Sequence, residues 1–142
     1  MANIIPYAFR GELFSGTHNF ASGGDSFKLA LYTANPYTTA SSVYSASSEV
    51  SSSGGSNYTT AGKALTGNAV VSTGAIATTD FADATWTSAT FTAAYGALYN
   101  DDQGDKLCVV LDFGGNKTCT NGTFKITFPD PSTPANAIIS MS

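Results

Sequence analysis

From Thr90 to Phe128 the pattern of apolar and polar positions falls into three strand-like runs parted by turn-forming residues. Phe91, Ala93, Tyr95, Ala97 and Tyr99 interleave with Thr90, Thr92, Ala94, Gly96 and Leu98, the two-residue period of a strand and not the longer period of a helix. Beyond the turn Asp101-Asp102-Gln103-Gly104-Asp105, Leu107 to Phe113 is apolar almost throughout, which predicts a strand covered on both faces. The polar stretch GNKTCTN before Gly122 reads as a loop. Phe124, Ile126 and Phe128 then alternate with Thr123, Lys125 and Thr127, so the third run should bury one face and wet the other. The expected core is an antiparallel meander.

The remaining segments supply partners for that core. Met1 to Tyr7 reads as an extended arm, because Pro6 restricts Ile5 to extended geometry. Phe9 and Leu13 lie four residues apart ahead of Gly16, which predicts a short helix over Ala8 to Ser15. Ser26 to Thr33 places Phe27, Leu29 and Leu31 on one face of a strand that Asn35-Pro36 ends. Tyr37 to Asn57 is a long Ser/Thr/Gly-rich loop, with one helical turn expected over Tyr44 to Val50; a loop of that length is usually functional or flexible. Tyr58 to Val71 predicts a strand interrupted at Gly62 and Gly67, and Ile76 to Thr79 continues the sheet. Trp86 should anchor the core by area alone. After the Pro129 to Pro134 loop, Ala137 to Met141 reads as the last strand. The pattern implies about eight strands with turns every 8–12 residues, a single all-β domain spanning 1–142 built as an antiparallel, jelly-roll-like β-sandwich. No fixed-period repeat is present, which excludes a solenoid or propeller.

Composition narrows the function. The chain has 142 residues, enough for a core without metal or disulfide staples. Only 11% of residues are charged, and the net charge is −4, with a pI near 4.5; nucleic-acid binding requires a basic face and is not expected. No apolar run approaches the roughly 20 residues of a membrane span, and no membrane partner is expected. The first residues lack the basic start and long apolar run of a secretory signal. Without secretion, the N-x-S/T matches at Asn57, Asn116 and Asn121 read as loop chemistry. Cys108 and Cys119 are expected to be free thiols, since they should not lie opposite each other.

Candidate chemistry is sparse. His18 is the single histidine, so any Ser/His/Asp or Cys/His arrangement must use it, and nothing near it has the small-x-Ser-x-small form of a nucleophile elbow. Zinc lacks paired ligand spacing. The acidic turn Asp101 to Asp105 is the best cation candidate, although it has neither the length nor the closing glutamate of an EF-hand. Asp112-Phe113-Gly114 spells a kinase motif without the other kinase segments, and Gly62-Lys63 lacks the spacing of a phosphate loop. A paired-carboxylate glycosidase stays open on sequence alone, but Glu12 and Glu49 are the only glutamates and both fall outside the expected sheet core. The expectation is a protein that is not an enzyme, with no cofactor and no metal.

FRGELFSGTHNF, DSFKLALYT, NYTTAGKALTG, TWTSATFTAAYGALYND and LCVVLDFGGNKTCTNGTFKITFP follow one another in this order. Together they resemble the small structural virion proteins of tailed bacteriophages, most of all the capsid cement or decoration proteins, across almost the whole chain. The resemblance implies a non-enzymatic component of the capsid surface, made in the host bacterial cytoplasm, whose partners are the major capsid protein and further copies of itself as a dimer or trimer. The alternative is a tail or fibre component that binds host-surface glycans through its aromatic rings. Ile4, Ile5 and Tyr7 on the arm and Tyr37, Val43 and Tyr44 on the long loop lie outside the expected strands and are the candidate interface residues. On this reading the arm is dispensable for folding.

Overall fold

The computed structural model describes residues 3–133, 135 and 137–141. These residues are mostly β, with two antiparallel sheets and one short helix. In chain order the elements are α1 (Tyr7–Phe14), β1 (Phe27–Tyr32), β2 (Lys63–Ala64), β3 (Ala69–Thr73), β4 (Ile76–Asp80), β5 (Ala84–Asn100), β6 (Lys106–Ile126) and β7 (Ile139–Met141). One sheet runs β2-β1-β5-β6 and the other β3-β4-β7. Seven strands therefore stand among the described residues where about eight were expected.

The centre of the fold is one long hairpin and not a three-strand meander. β5 and β6 pair from Asn100–Lys106 beside the acidic turn to Ala84–Ile126 at the far end. The stretch read as a loop lies within β6, where Lys117, Thr118 and Cys119 face Ala93, Thr92 and Phe91. Thr92 and Thr118 join their hydroxyls across the pair at 2.7 Å. An edge strand in water tolerates polar residues that a buried strand does not, so turn-like composition coexists here with strand pairing.

The register slips between Ala93 and Tyr95, opposite Gly114 and Gly115, whose φ values are +72° and +128°. Such bulges bend a strand. Phe113 and Phe124 consequently have ring centroids 6.4 Å apart, whereas eleven residues of straight strand would separate them by roughly 35 Å. Gly96 receives the folded-back ring: a Cβ there would meet Phe113 Cζ at 3.1 Å and Leu29 Cδ1 at 3.3 Å.

β1 is buried on both sides. Phe27, Leu29 and Leu31 join the larger core with Trp86, Phe91, Phe124 and Ile139, as their shared face predicts. Ala30 and Tyr32 on the opposite face join Tyr99, Leu107 and Val110. Phe20 stacks on Phe27 with centroids 4.4 Å apart.

Two expectations about the first half need correction. Tyr44 to Val50 contains no helix; this part of the long loop is held by isolated bridges, Val43 to Lys106 and Tyr32 to Glu49. The strand expected over Tyr58 to Val71 is broken into β2 and β3, which belong to different sheets. Gly62 and Gly67 mark the breaks with φ of +84° and +67°.

The helix forms one residue earlier than expected, and Tyr7 belongs to it and not to the arm. Its C-terminal end is a Schellman motif: Thr17 N–H donates to Glu12 O at 3.0 Å and Gly16 N–H to Leu13 O at 3.3 Å, with Gly16 at φ +71°. At the other end Tyr7 N–H donates to Thr39 O at 2.9 Å, which satisfies one of the unpaired first-turn donors.

Candidate interaction surface

The chemically richest cluster lies inside the fold. α1 supplies Glu12, the loop after it His18, and the start of the acidic turn Asn100. His18 Nε2 is 2.8 Å from Glu12 Oε2, and its ring is fully buried. Asn100 is oriented from two sides, accepting from Asp102 N–H at 3.1 Å and donating to Asp25 Oδ2 at 2.8 Å. Its amide nitrogen therefore donates also to His18 Nδ1, 3.0 Å away. Nδ1 is then the acceptor and Nε2 carries the hydrogen that Glu12 receives. Lys106 Nζ closes the cluster on Glu12 Oε1 at 2.9 Å. With both ring nitrogens engaged and no exposed edge, His18 holds α1 to the hairpin.

The carboxylates of this cluster make stability pH-dependent. Burial opposes the ionised Glu12, but hydrogen bonds from His18 and Lys106 outweigh it and hold the pKa below 4.5. Burial likewise opposes Asp25, and bonds from the Asn19 backbone and the Asn100 side chain hold it below 3.8. A carboxyl with a depressed folded pKa contributes stability above its unfolded pKa and loses it as pH falls through the folded one. Urea midpoints should therefore stay level from about pH 7 to pH 5 and drop steadily between about pH 4 and pH 2. Glu12→Gln should lower the neutral midpoint and flatten the acid slope; an acid slope equal to that of the unmodified protein would show that Glu12 is not a source.

A second network consumes the tyrosines of the long loop. Glu49 accepts from Tyr44 and Tyr58 hydroxyls, each at 2.6 Å, and from Ala61 N–H at 2.8 Å. Tyr37 and Tyr32 join hydroxyls at 2.7 Å, and Tyr32 donates to Ser45 O at 2.8 Å. Burial and the neighbouring Glu49 carboxylate push the Tyr44 and Tyr58 phenols well above their ordinary range, so both remain donors.

The acidic turn is tied down as well. Asp101 pairs with Lys28 at 2.9 Å, and Asp102 accepts from Ser26 N–H at 2.7 Å. Among the described residues no three His, Cys, Asp or Glu side chains converge in a metal-ligand group. Both cysteines are free: Cys108 lies beside His18 Nδ1 at 4.0 Å, whereas Cys119 faces the Phe91 carbonyl at 3.8 Å.

Of the six residues expected at an interface, the structure turns most inward. Ile4 exchanges backbone hydrogen bonds with Val110, at 2.9 and 2.8 Å, and its half-buried side chain packs on the core. Ile5 is half-buried against the larger core. Tyr37 is buried, and the half-buried Tyr44 lies 4.9 Å from the Tyr99 ring. Tyr7 and Val43 remain exposed. Loop position indicated accessibility, but their hydroxyls and apolar faces are used inside the domain.

Among the described residues the large exposed apolar side chains are Tyr7, Phe14, Val43, Val70 and Met141, and Phe14 is the extreme at 90% exposure. Tyr7 and Phe14 sit on α1 with exposed Arg10 and Gly11. Spacings of three, four and seven put these four residues on one helix face, opposite buried Phe9. Sequence reasoning missed Phe14, although assigning Phe9 and Leu13 to the core leaves it on the outside. Arg10 lies over the Tyr7 ring, 5.7 Å from its centroid. The chain matches no protein-family model, no curated protein and no solved structure.

Proposed function

We propose that this protein is a non-enzymatic structural component of a tailed-bacteriophage virion, a cement or decoration protein of the capsid surface that stabilises contacts between major capsid subunits and associates with copies of itself. The sequence resemblance described above supports the virion assignment. A sandwich of jelly-roll type is the arrangement we propose for the two sheets, supported by Ile139 of the small sheet sharing one core with Phe27 and Leu29 of the large one.

The observation that carries a structural role is the use of the polar side chains. His18, Glu12, Asp25, Glu49, Tyr37, Tyr44 and Tyr58 all spend their hydrogen bonds within the domain, while aromatic surface is presented to solvent on α1. A glycan-binding tail or fibre role is less well supported, because Tyr37 and Trp86 are buried. Quantitative mass spectrometry of purified particles of the encoding phage tests the proposal. The expected result is the protein on heads in a fixed ratio to the major capsid subunit; its absence from heads, or its presence on tails alone, overturns the assignment.

A further inference from the structure

The residue least explained by the fold itself is Gly11. It stands inside an eight-residue helix, where glycine destabilises by about 0.5–1 kcal/mol relative to alanine. A Cβ at this position would meet nothing within 4 Å, and its backbone is outside the left-handed region. Neither internal packing nor backbone geometry calls for glycine here. A local rule broken without an internal gain points to a function, and bare backbone on an exposed helix face suits the close approach of another chain.

The flanking residues identify that chain. Along the outer face the order is Tyr7, Arg10, Gly11, Phe14; the positions are symmetric about a point between Arg10 and Gly11, and an aromatic ring stands at each end. Turned about a two-fold axis through that point, an antiparallel copy sets Tyr7 against Phe14 of its twin, and Arg10, once swung off its own Tyr7 ring, over the other's Gly11. Aromatic meets aromatic, and the longest side chain meets the empty position. Such self-complementarity is the requirement of an isologous contact, in which residue i meets j and j meets i. Tyr, Phe and Arg are also the types enriched at interface cores.

We infer that the outer face of α1 is the self-association surface of this protein, forming a two-fold antiparallel contact with α1 of a second copy. The inference deepens the homo-oligomer part of the function proposed above and rests on it, but not on the capsid location. Eight residues of helix span about 12 Å, so the face falls well short of the roughly 800 Å² per partner of a standard interface. The dimer is therefore weak and exchanges quickly in solution, and it gains strength where copies are already held side by side.

Sedimentation velocity of the purified chain over a concentration series, up to the millimolar range expected for so small a contact, reads this directly. A concentration-dependent dimer is expected, weakened at least tenfold, equivalent to about 1.4 kcal/mol, by Phe14→Ala. Gly11→Ala gives the sharper test: it should raise the melting temperature by about 2–4 °C and yet weaken the dimer, since the methyl occupies the place of the partner's Arg10. In a Cys119→Ser background, mixing Tyr7→Cys with Phe14→Cys chains under mild oxidation should yield the mixed disulfide in preference to either homodimer. A chain that stays monomeric throughout, a Gly11→Ala variant that dimerises as well as the parent, or predominant homodimer cross-links overturn the inference. Because no capsid is present, these outcomes are independent of the particle-location test.

Discussion

Replacing Gly62 with alanine is expected to unfold the protein or leave it marginally stable. A Cβ there would overlap the Leu29 carbonyl oxygen, and it would lie 2.6 Å from the Leu29 carbonyl carbon and 2.7 Å from Ala30 Cα. These are backbone atoms of β1, both residues are fully buried, and β1 is clamped between β2 and β5. Neither side of the collision can yield without breaking strand pairing. The φ of +84° adds a left-handed backbone that alanine adopts only with strain. Together the effects should exceed about 4 kcal/mol, a large share of the 5–15 kcal/mol that holds a typical domain together. Denaturant unfolding followed by circular dichroism measures this, with Gly11→Ala as the control in open space. A Gly62→Ala midpoint close to that of the parent would mean that β2 does not lie against β1 as described.

Deleting residues 1–7 should be the second severe change, contrary to the dispensable arm expected from sequence. Ile4 adds a two-hydrogen-bond bridge to the outer edge of β6 at Val110. Pro6 is almost completely buried, Ile5 packs on the larger core, and Tyr7 provides the first turn of α1. Removal strips the bridge, uncovers apolar area worth about 25 cal/mol per Å², and frays the helix that carries Glu12 to His18. The combined loss is expected to be about 3–5 kcal/mol. Urea unfolding of the shortened chain tests it, and Ile5→Ala should reproduce part of the loss without removing the backbone. An unchanged midpoint for the deletion would show the arm to be peripheral.

The positions read correctly from sequence are those where a two-residue period coincides with burial. Phe27, Leu29 and Leu31 alternate and share a core, and of the continuous run from Leu107 to Phe113 the part from Leu107 to Val110 is buried in the two cores while Leu111 to Phe113 are half-buried. Trp86 is buried as its area required. Failures concentrate where side-chain type is a poor guide to partner. Residues Asn116 to Asn121 carry turn chemistry but extend β6, because Gly114 and Gly115 make the bend and this part of the strand, exposed except at Cys119, buries little side-chain area before Phe124 re-enters the core. Tyr37 and Tyr44 looked available because they lie in a Ser-rich loop, but Glu49, close in sequence, draws Tyr44 inward. Val43 on the same loop has no such partner and stays exposed. For α1, the same four-residue spacing that buries Phe9 and Leu13 also implies the outward face, so Gly11 and Phe14 were legible in principle.

The bent hairpin also constrains how the chain finds its structure. Asn100 and Lys106 pair across a five-residue turn, and each successive rung toward Ala84 and Ile126 lies farther away in sequence. Loop closure grows costlier with the length enclosed, so zipping outward from Asp101 to Asp105 is the route with the smallest entropic step at every stage. The glycine pair at 114–115 interrupts that zipper midway, beside Phe113. Rungs nearest the turn can form first and present Leu98 and Val109 as a template for β1, while the half beyond the bend has to wait for Phe113 to meet Phe124 and Gly96. The hairpin is thus expected to form in an early, turn-directed half and a late half that is completed only by collapse onto the aromatic core.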